Sequence, residues 1–137
     1  MTLIVTLLVI AVAYIVLKGG TDPITITGYA SRAGFSGGDL AIAVAICYAE
    51  SGGNPDAIGD LDLGVSVGLW QINLAAHPEY TQDELLDPNQ NAQAAYMIYS
   101  AAGNSFSPWT TFRSGAYLQY LGQDSTAPET VEIGGGE

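Results

Sequence analysis

The sequence predicts a small, mainly α domain of the α+β kind, preceded by one N-terminal transmembrane helix. Three observations predict it. Residues 3–17 form an apolar run without a charge. Helix starts with capping chemistry stand at Ser36, Thr81 and Asp87. A stretch rich in Gly, Asp and Asn, residues 54–68, separates the helical segments.

The apolar run reads LIVTLLVIAVAYIVL. Counted from Met1 it spans ~25 Å as a helix, at ~1.5 Å per residue. That is short for a hydrocarbon core of ~30 Å, but tolerable with local thinning or with Lys18 snorkelling to the interface. A cleaved signal peptide is one alternative. It would want basic residues before the run and a small-x-small site after it, whereas Met1-Thr2 precedes the run and Leu17-Lys18-Gly19-Gly20 ends it. A buried core helix is the other. The expectation is an anchor over residues 1–18 that contacts lipid through residues 3–17, a linker at 19–24, a domain at 25–122, and an acidic, Gly-rich tail at 123–137.

Within the domain, Thr25 to Ala33 is ambiguous: ITIT suggests a strand and GYASRA a short helix. Ser36-Gly37-Gly38-Asp39 fits a capping box, with Ser36 as N-cap and Asp39 at N3. Leu40 to Ala49 is almost wholly apolar or small, so this helix is expected to be buried on most sides. Gly52-Gly53 and Pro55 stop it. Residues 54–68 read as loop or a small irregular sheet, and Gly68 to Leu74 as a compact turn or helix. Thr81-Gln82-Asp83-Glu84 is a second capping box. Asp87-Pro88 fits N-cap and N1 of a helix through Ala102, on which Ala92, Ala95, Tyr96 and Tyr99 share a face. Ser107-Pro108 opens a last helical region through Leu121.

Composition narrows the function. The chain has 137 residues and a formal net charge of −11, with Lys18, Arg32 and Arg113 as its cations. Phosphate binding draws on clustered Lys and Arg, so nucleic acid is not an expected partner. The single cysteine, Cys47, cannot close an internal disulfide. One Cys and one His, His77, do not make a Cys/His zinc cluster, and no metal or other cofactor is expected.

Glu50 is the residue to explain. It is the one charged group between Leu40 and Asn54, and it closes a buried helix. Apolar surroundings disfavour a carboxylate, as does the negative end of a helix dipole. Both raise its pKa and keep a carboxylic acid protonated nearer neutrality. Glycosidic cleavage needs such a group to protonate the leaving oxygen. The bland alternative is a Glu that swings to solvent at a helix end.

Several segments weigh against that alternative. Ala33-Gly34-Phe35-Ser36-Gly37 leads into Ala43-Val44-Ala45-Ile46 and Ala49-Glu50-Ser51-Gly52-Gly53-Asn54-Pro55. Ser66-Val67-Gly68-Leu69-Trp70-Gln71-Ile72-Asn73 follows, then Ala76-His77-Pro78, Asp87-Pro88 and Asn91-Ala92-Gln93-Ala94-Ala95-Tyr96. Pro108-Trp109 and Ser114-Gly115-Ala116-Tyr117 complete the set. In order and spacing they resemble the lysozyme-like, soluble lytic transglycosylase superfamily, particularly small domains of phage virion proteins.

The resemblance implies a lysozyme-like fold and cleavage of the MurNAc–GlcNAc β-1,4 bond of peptidoglycan. It implies Glu50 as general acid and later base, with Ser51 beside it as a supporting hydroxyl. Gly68, Leu69, Trp70 and Gln71 would line the glycan cleft, flanked by Ser66 and Asn73, with Gln71 reaching sugar amide or hydroxyl groups. Tyr117 would take the place of the family's late tyrosine, which orients the acid. The usual Ala-Tyr-Asn reads Ala116-Tyr117-Leu118 here, so Tyr96 is a second candidate. Trp70 and Trp109 are weighed as core residues as well as sugar platforms, Asn91 as a structural polar residue, His77 as a loop residue, and Asp60 and Asp62 as solvated.

The expected activity is thus peptidoglycan cleavage, with a 1,6-anhydro product favoured over a hydrolysed one. The alternatives are a hydrolytic lysozyme of the same fold or a non-catalytic wall-binding or structural virion protein. Expected partners are glycan strands, lipid, and virion or envelope-complex proteins. The expected location is membrane-anchored in a virion, in an internal membrane or the entry apparatus, or else in a bacterial cell envelope.

Overall fold

A computed structural model describes residues 20–59 and 63–122. Among these residues, five α-helices, one 3₁₀ turn and one two-stranded sheet build the domain. Helix α1, Pro23–Ala33, is where the sequence left strand and helix open. Its start explains the outcome. Asp22 caps it by accepting from the Thr25 amide at 2.9 Å and the Thr25 hydroxyl at 3.0 Å, and Pro23 takes a first-turn position. This local capping outweighs the β preference of alternating Ile and Thr. Thr21, expected in the linker, is tied to the domain by its amide to the Gly53 carbonyl at 2.7 Å.

Helix α2, Gly37–Ser51, is the central element. Ala43 to Cys47 are fully buried along it. It starts after Ser36 as expected, but the Ser36 side chain makes no capping bond. Asp39 instead accepts from the Tyr99 hydroxyl. Gly52, in the left-handed region at φ 64°, ends the helix.

Beyond it, β1 (Ser66–Val67) pairs antiparallel with β2 (Ile72–Asn73), Ser66 opposite Asn73 and Val67 opposite Ile72. The turn between them contains Gly68 to Gln71, with Gln71 itself at φ 49°. Helix α3, Gln82–Leu86, has the expected capping box: Thr81 accepts from the Glu84 amide and Glu84 accepts from the Thr81 amide. Helix α4, Pro88–Ala101, is capped by Asp87 as expected. The last helical region is broken in two. Helix α5 covers Thr110–Arg113 and a 3₁₀ turn covers Ala116–Tyr120, with Gly115 at φ 83° between them.

The core lies where α1, α2 and α4 meet the sheet and the last segment. Trp70 holds it together. Its indole N–H donates to the Ala43 carbonyl of α2 at 2.9 Å, and its amide donates to the Asn91 Oδ1 of α4 at 2.8 Å. The Trp109 indole N–H in turn donates to the Trp70 carbonyl at 2.9 Å. Asn91 is fully buried and gives both amide hydrogens to backbone carbonyls, Val67 and Leu85, each at 2.8 Å. Its structural reading therefore holds, and no donor of that buried amide is left unmade.

The predicted transmembrane helix is corrected. Among the described residues no helix is long and apolar enough to cross a membrane. The run that prompted the expectation, residues 1–18, lies outside the described residues, as does the tail from residue 123. What the structure gives over the described residues is a small, mainly helical domain.

Candidate active site

Burial of α2 carries Glu50 to the edge of the core. A cleft of ≈ 340 Å³ opens there, with Glu50 on one side. Ser66, Gln71 and Asn73 of the sheet and its turn line it, with His77 beyond them and Trp109 and Thr111 from the last segment. Among the described residues Glu50 is the one carboxyl lining this cleft.

Glu50 is partly buried, and burial is the main cause that raises its pKa above the ordinary carboxylate range. The Thr111 hydroxyl donates to Glu50 Oε2 at 2.7 Å and opposes that rise by stabilising the charged form. The position in the last turn of α2 adds the unfavourable end of the helix dipole. Desolvation wins over the hydrogen bond, so the group is biased toward the acid form.

The polar wall is rigidly held. Gln71 donates through Nε2 to the carbonyls of Ala57 and Gly68, both at 3.0 Å. Its side chain lies against Gly59, where a Cβ would stand 2.1 Å from Gln71 Oε1, so a larger residue there would displace the Gln71 amide. Asn73 donates to the Leu63 carbonyl at 3.0 Å and to Ser66 Oγ at 3.3 Å, and accepts from the Ala76 amide at 2.9 Å. These bonds fix hydroxyl and amide groups at the surface of the cleft.

The expected site residues divide. The structure brings Glu50, Ser66, Gln71 and Asn73 to one cleft. It does not bring Leu69 and Trp70 there: they are 0% and 1% exposed and pack in the core. Gly68 is likewise not a ligand approach. A Cβ on it would stand 2.3 Å from Asn91 Nδ2 and 2.5 Å from the Leu85 carbonyl, so glycine serves internal packing. The Ser51 hydroxyl is spent on its own helix end, donating to the Cys47 carbonyl at 3.0 Å and accepting from the Gly53 amide at 3.1 Å.

Neither expected tyrosine reaches the acid. Tyr96 packs edge-on against Phe35 at 5.0 Å, at the far end of a helix that is about 20 Å long. Tyr117 stacks on Phe112 at 5.1 Å. The hydroxyl that meets Glu50 belongs to Thr111, which the sequence did not single out; it lies 61 residues away, and nothing local marks it. His77, read as a loop residue, also lines the cleft, with Nδ1 3.7 Å from Glu79 Oε2. Asp60 and Asp62 lie outside the described residues. Among the described residues no group of three or more His, Cys, Asp or Glu side chains could hold a metal ion.

Comparison with known proteins agrees with the motifs. The family model of a lysozyme-like domain matches residues 27–111, more than half of the chain. No curated protein and no solved structure matches. The match spans the acid's helix, the sheet, α4 and Thr111, the parts that build the cleft. A buried-helix carboxyl facing a polar cleft, within a domain so matched, makes this chain a member of the lysozyme-like domain family, of the soluble lytic transglycosylase superfamily, whose activity is cleavage of peptidoglycan glycan strands.

Proposed function

We propose that the protein cleaves the MurNAc–GlcNAc β-1,4 bond with Glu50 as its one acid and base, leaving a 1,6-anhydro product. The observation that carries this reading is the solitary carboxyl: Glu50 alone lines the cleft among the described residues, in surroundings that favour its protonated form. Inverting hydrolysis needs a second carboxylate ~6.5–9.5 Å away to activate water, and the retaining kind a nucleophile at ~5–5.5 Å. The lytic route needs neither.

In that route Glu50 gives its proton to the bridging oxygen as the bond to the muramoyl C1 breaks. The sugar's own acetamido oxygen closes on C1 and carries the developing positive charge. Glu50, now a carboxylate, takes the proton of the 6-hydroxyl, whose oxygen attacks C1 and releases the acetamido group. The acid is restored and no water is consumed. Ser66, Gln71 and Asn73 present polar groups suited to sugar hydroxyl and acetamido groups. The setting we propose is a phage particle that opens a local hole in the wall at infection; detection of the chain in purified particles tests it.

Two measurements test the chemistry. Clearing of a purified cell-wall suspension separates an enzyme from a wall-binding or structural protein. Mass spectrometry of the released fragments then identifies the product, which is lighter by one water than a hydrolysed fragment. Dominance of hydrated, reducing-end fragments overturns the lytic reading. Asp60→Asn and Asp62→Asn then become the variants to test for a second carboxylate.

A further inference from the structure

We propose that Thr111 is a positioning residue for Glu50: its hydroxyl holds one carboxyl oxygen, so that the other presents the proton to the glycan. The proposal rests on the reading of Glu50 as the acid. Its basis is geometric. The Thr111 hydroxyl donates to Glu50 Oε2 at 2.7 Å, at the wall of the same cleft. A donor at Oε2 leaves Oε1 as the seat of the acidic proton.

The segment that carries Thr111 is fixed to the acid's helix. Trp109, the N-cap of α5, is bonded to Trp70, and Trp70 to Ala43 of α2, so two indoles join the helix of the acid to the helix of the threonine. On α5 itself, Arg113 donates to the Thr110 hydroxyl at 3.0 Å and to the Ser107 carbonyl. Thr110 is therefore engaged by Arg113, and Thr111 by Glu50.

The other titratable groups around the acid leave this contact distinct. Cys47, one turn back on α2, is fully buried and its thiol is pushed far up, so it stays neutral. His77 lines the same cleft beside Glu79. The 3₁₀ turn packed on α2 brings the phenols Tyr117 and Tyr120, and α1 brings Tyr29 and Arg32. Arg113 of α5 is committed as described.

The contact changes character during the reaction. While Glu50 is protonated it is a bond between neutral groups. As the proton passes from Oε1 to the bridging oxygen, Glu50 becomes a carboxylate and the Thr111 bond becomes charge-assisted and stronger. An interaction that grows in the transition state speeds turnover without tightening substrate binding.

The test measures kcat, KM and the pH profile of wall cleavage for the full chain and for Thr111→Val and Thr111→Ser. For Thr111→Val we expect kcat to fall ~10–100-fold, the equivalent of one hydrogen bond to a charged group, with KM near the parent's. The alkaline limb of its profile shifts to higher pH, because the carboxylate has lost a donor. Thr111→Ser restores both the rate and the limb. Circular dichroism and thermal melts establish that each variant is folded; if the valine variant is not, Thr111→Ala takes its place. An unmoved limb, a loss carried in KM, or a serine variant as impaired as the valine one overturns the proposal. Glu50→Gln separates the two readings. Full activity in that variant removes the acid assignment itself, whereas an inactive Glu50→Gln beside an unaltered Thr111→Val removes the positioning role alone.

Discussion

Helix α2 carries one carboxylate near each end, and the two stand in opposite surroundings. Asp39, in the first turn, sits where the helix dipole favours an anion, and it accepts a bond from Tyr99 of α4. That bond is the main cause that lifts the Tyr99 phenol to about 12. The same end packs an aromatic cluster: Phe35 meets Tyr96 and Tyr99, each at 5.0 Å, and Phe106 at 5.7 Å. Glu50, in the last turn, sits where the dipole disfavours an anion, against a cleft and one threonine hydroxyl. One helix thus has an end that binds the domain together and an end that presents a carboxyl to a cleft. The carboxylate at the first end is bonded to a phenol, whereas the one at the last end is partly desolvated, with its pKa raised.

The largest difference expected between the ends is catalytic. Glu50→Gln keeps the shape and the Thr111 contact but cannot donate a proton, so wall cleavage falls ~100-fold or more. Asp39→Asn leaves turnover near the parent's. A turbidity assay on both variants reads this directly, and comparable losses from the two erase the distinction.

Next in size is a packing effect confined to the first end. Gly34 follows α1 at φ 130°, and a Cβ there would stand 2.8 Å from the Tyr96 ring. Gly34→Ala combines an unfavourable backbone with overpacking and is expected to cost ~1–3 kcal/mol in urea unfolding. The folded fraction of that variant keeps its activity per molecule, because Glu50 lies at the other end.

Asp39→Ala is expected to cost a similar amount at the same end. It removes a bond between a charged group and a phenol, about 1.5–3 kcal/mol at most, part of which water recovers at this rim, plus a dipole contribution of ~0.3–1 kcal/mol. Tyr99→Phe isolates the bond from the dipole. A cost for Asp39→Ala no greater than that of Tyr99→Phe leaves the dipole without effect here.

The smallest effect is a pH dependence at the Glu50 end. Its folded pKa is raised, so the folded chain holds the proton more tightly than the unfolded one. Below the ordinary carboxylate range both states are protonated and nothing is lost. As pH rises the unfolded chain ionises first, and stability falls until the folded pKa is passed. Glu50→Gln escapes that loss. Its melting temperature therefore matches the parent's in acid and exceeds it at neutral pH, a gap that calorimetry across pH measures. A gap of the opposite sign means that the carboxylate is stabilised by the fold.

Legibility in the sequence followed the range of the interactions. The Thr81–Glu84 box and the Asp87–Pro88 start were readable because each is complete within a few residues. The position of Glu50 was readable because a lone charge ends a long apolar helix, a pattern one segment carries whole. The Ser36–Asp39 box looked equally local, yet Asp39 went to Tyr99, 60 residues on, which no short window contains. Trp70, Leu69 and Gly68 belong to the motif that pointed to the cleft, but motif membership does not say which face a side chain takes. Gln71 faces the cleft while its neighbour Trp70 is buried, because the turn puts Gln71 at φ 49° and Asn91 clamps the Trp70 amide.

The sequence by itself determined the helices with their own caps, the family, and the place of Glu50 at the end of α2, since these rest on periodicity, capping and a motif contiguous in the chain. Only the tertiary structure decided which hydroxyl meets the Glu50 carboxyl. Tyr117 and Tyr96 were both reasonable from spacing, but Tyr117 stacks on Phe112 and Tyr96 packs at the opposite end of α2. Thr111 reaches Glu50 because Trp109 and Trp70 bond α5 to α2, and that alignment exists only after segments far apart in the chain have packed together.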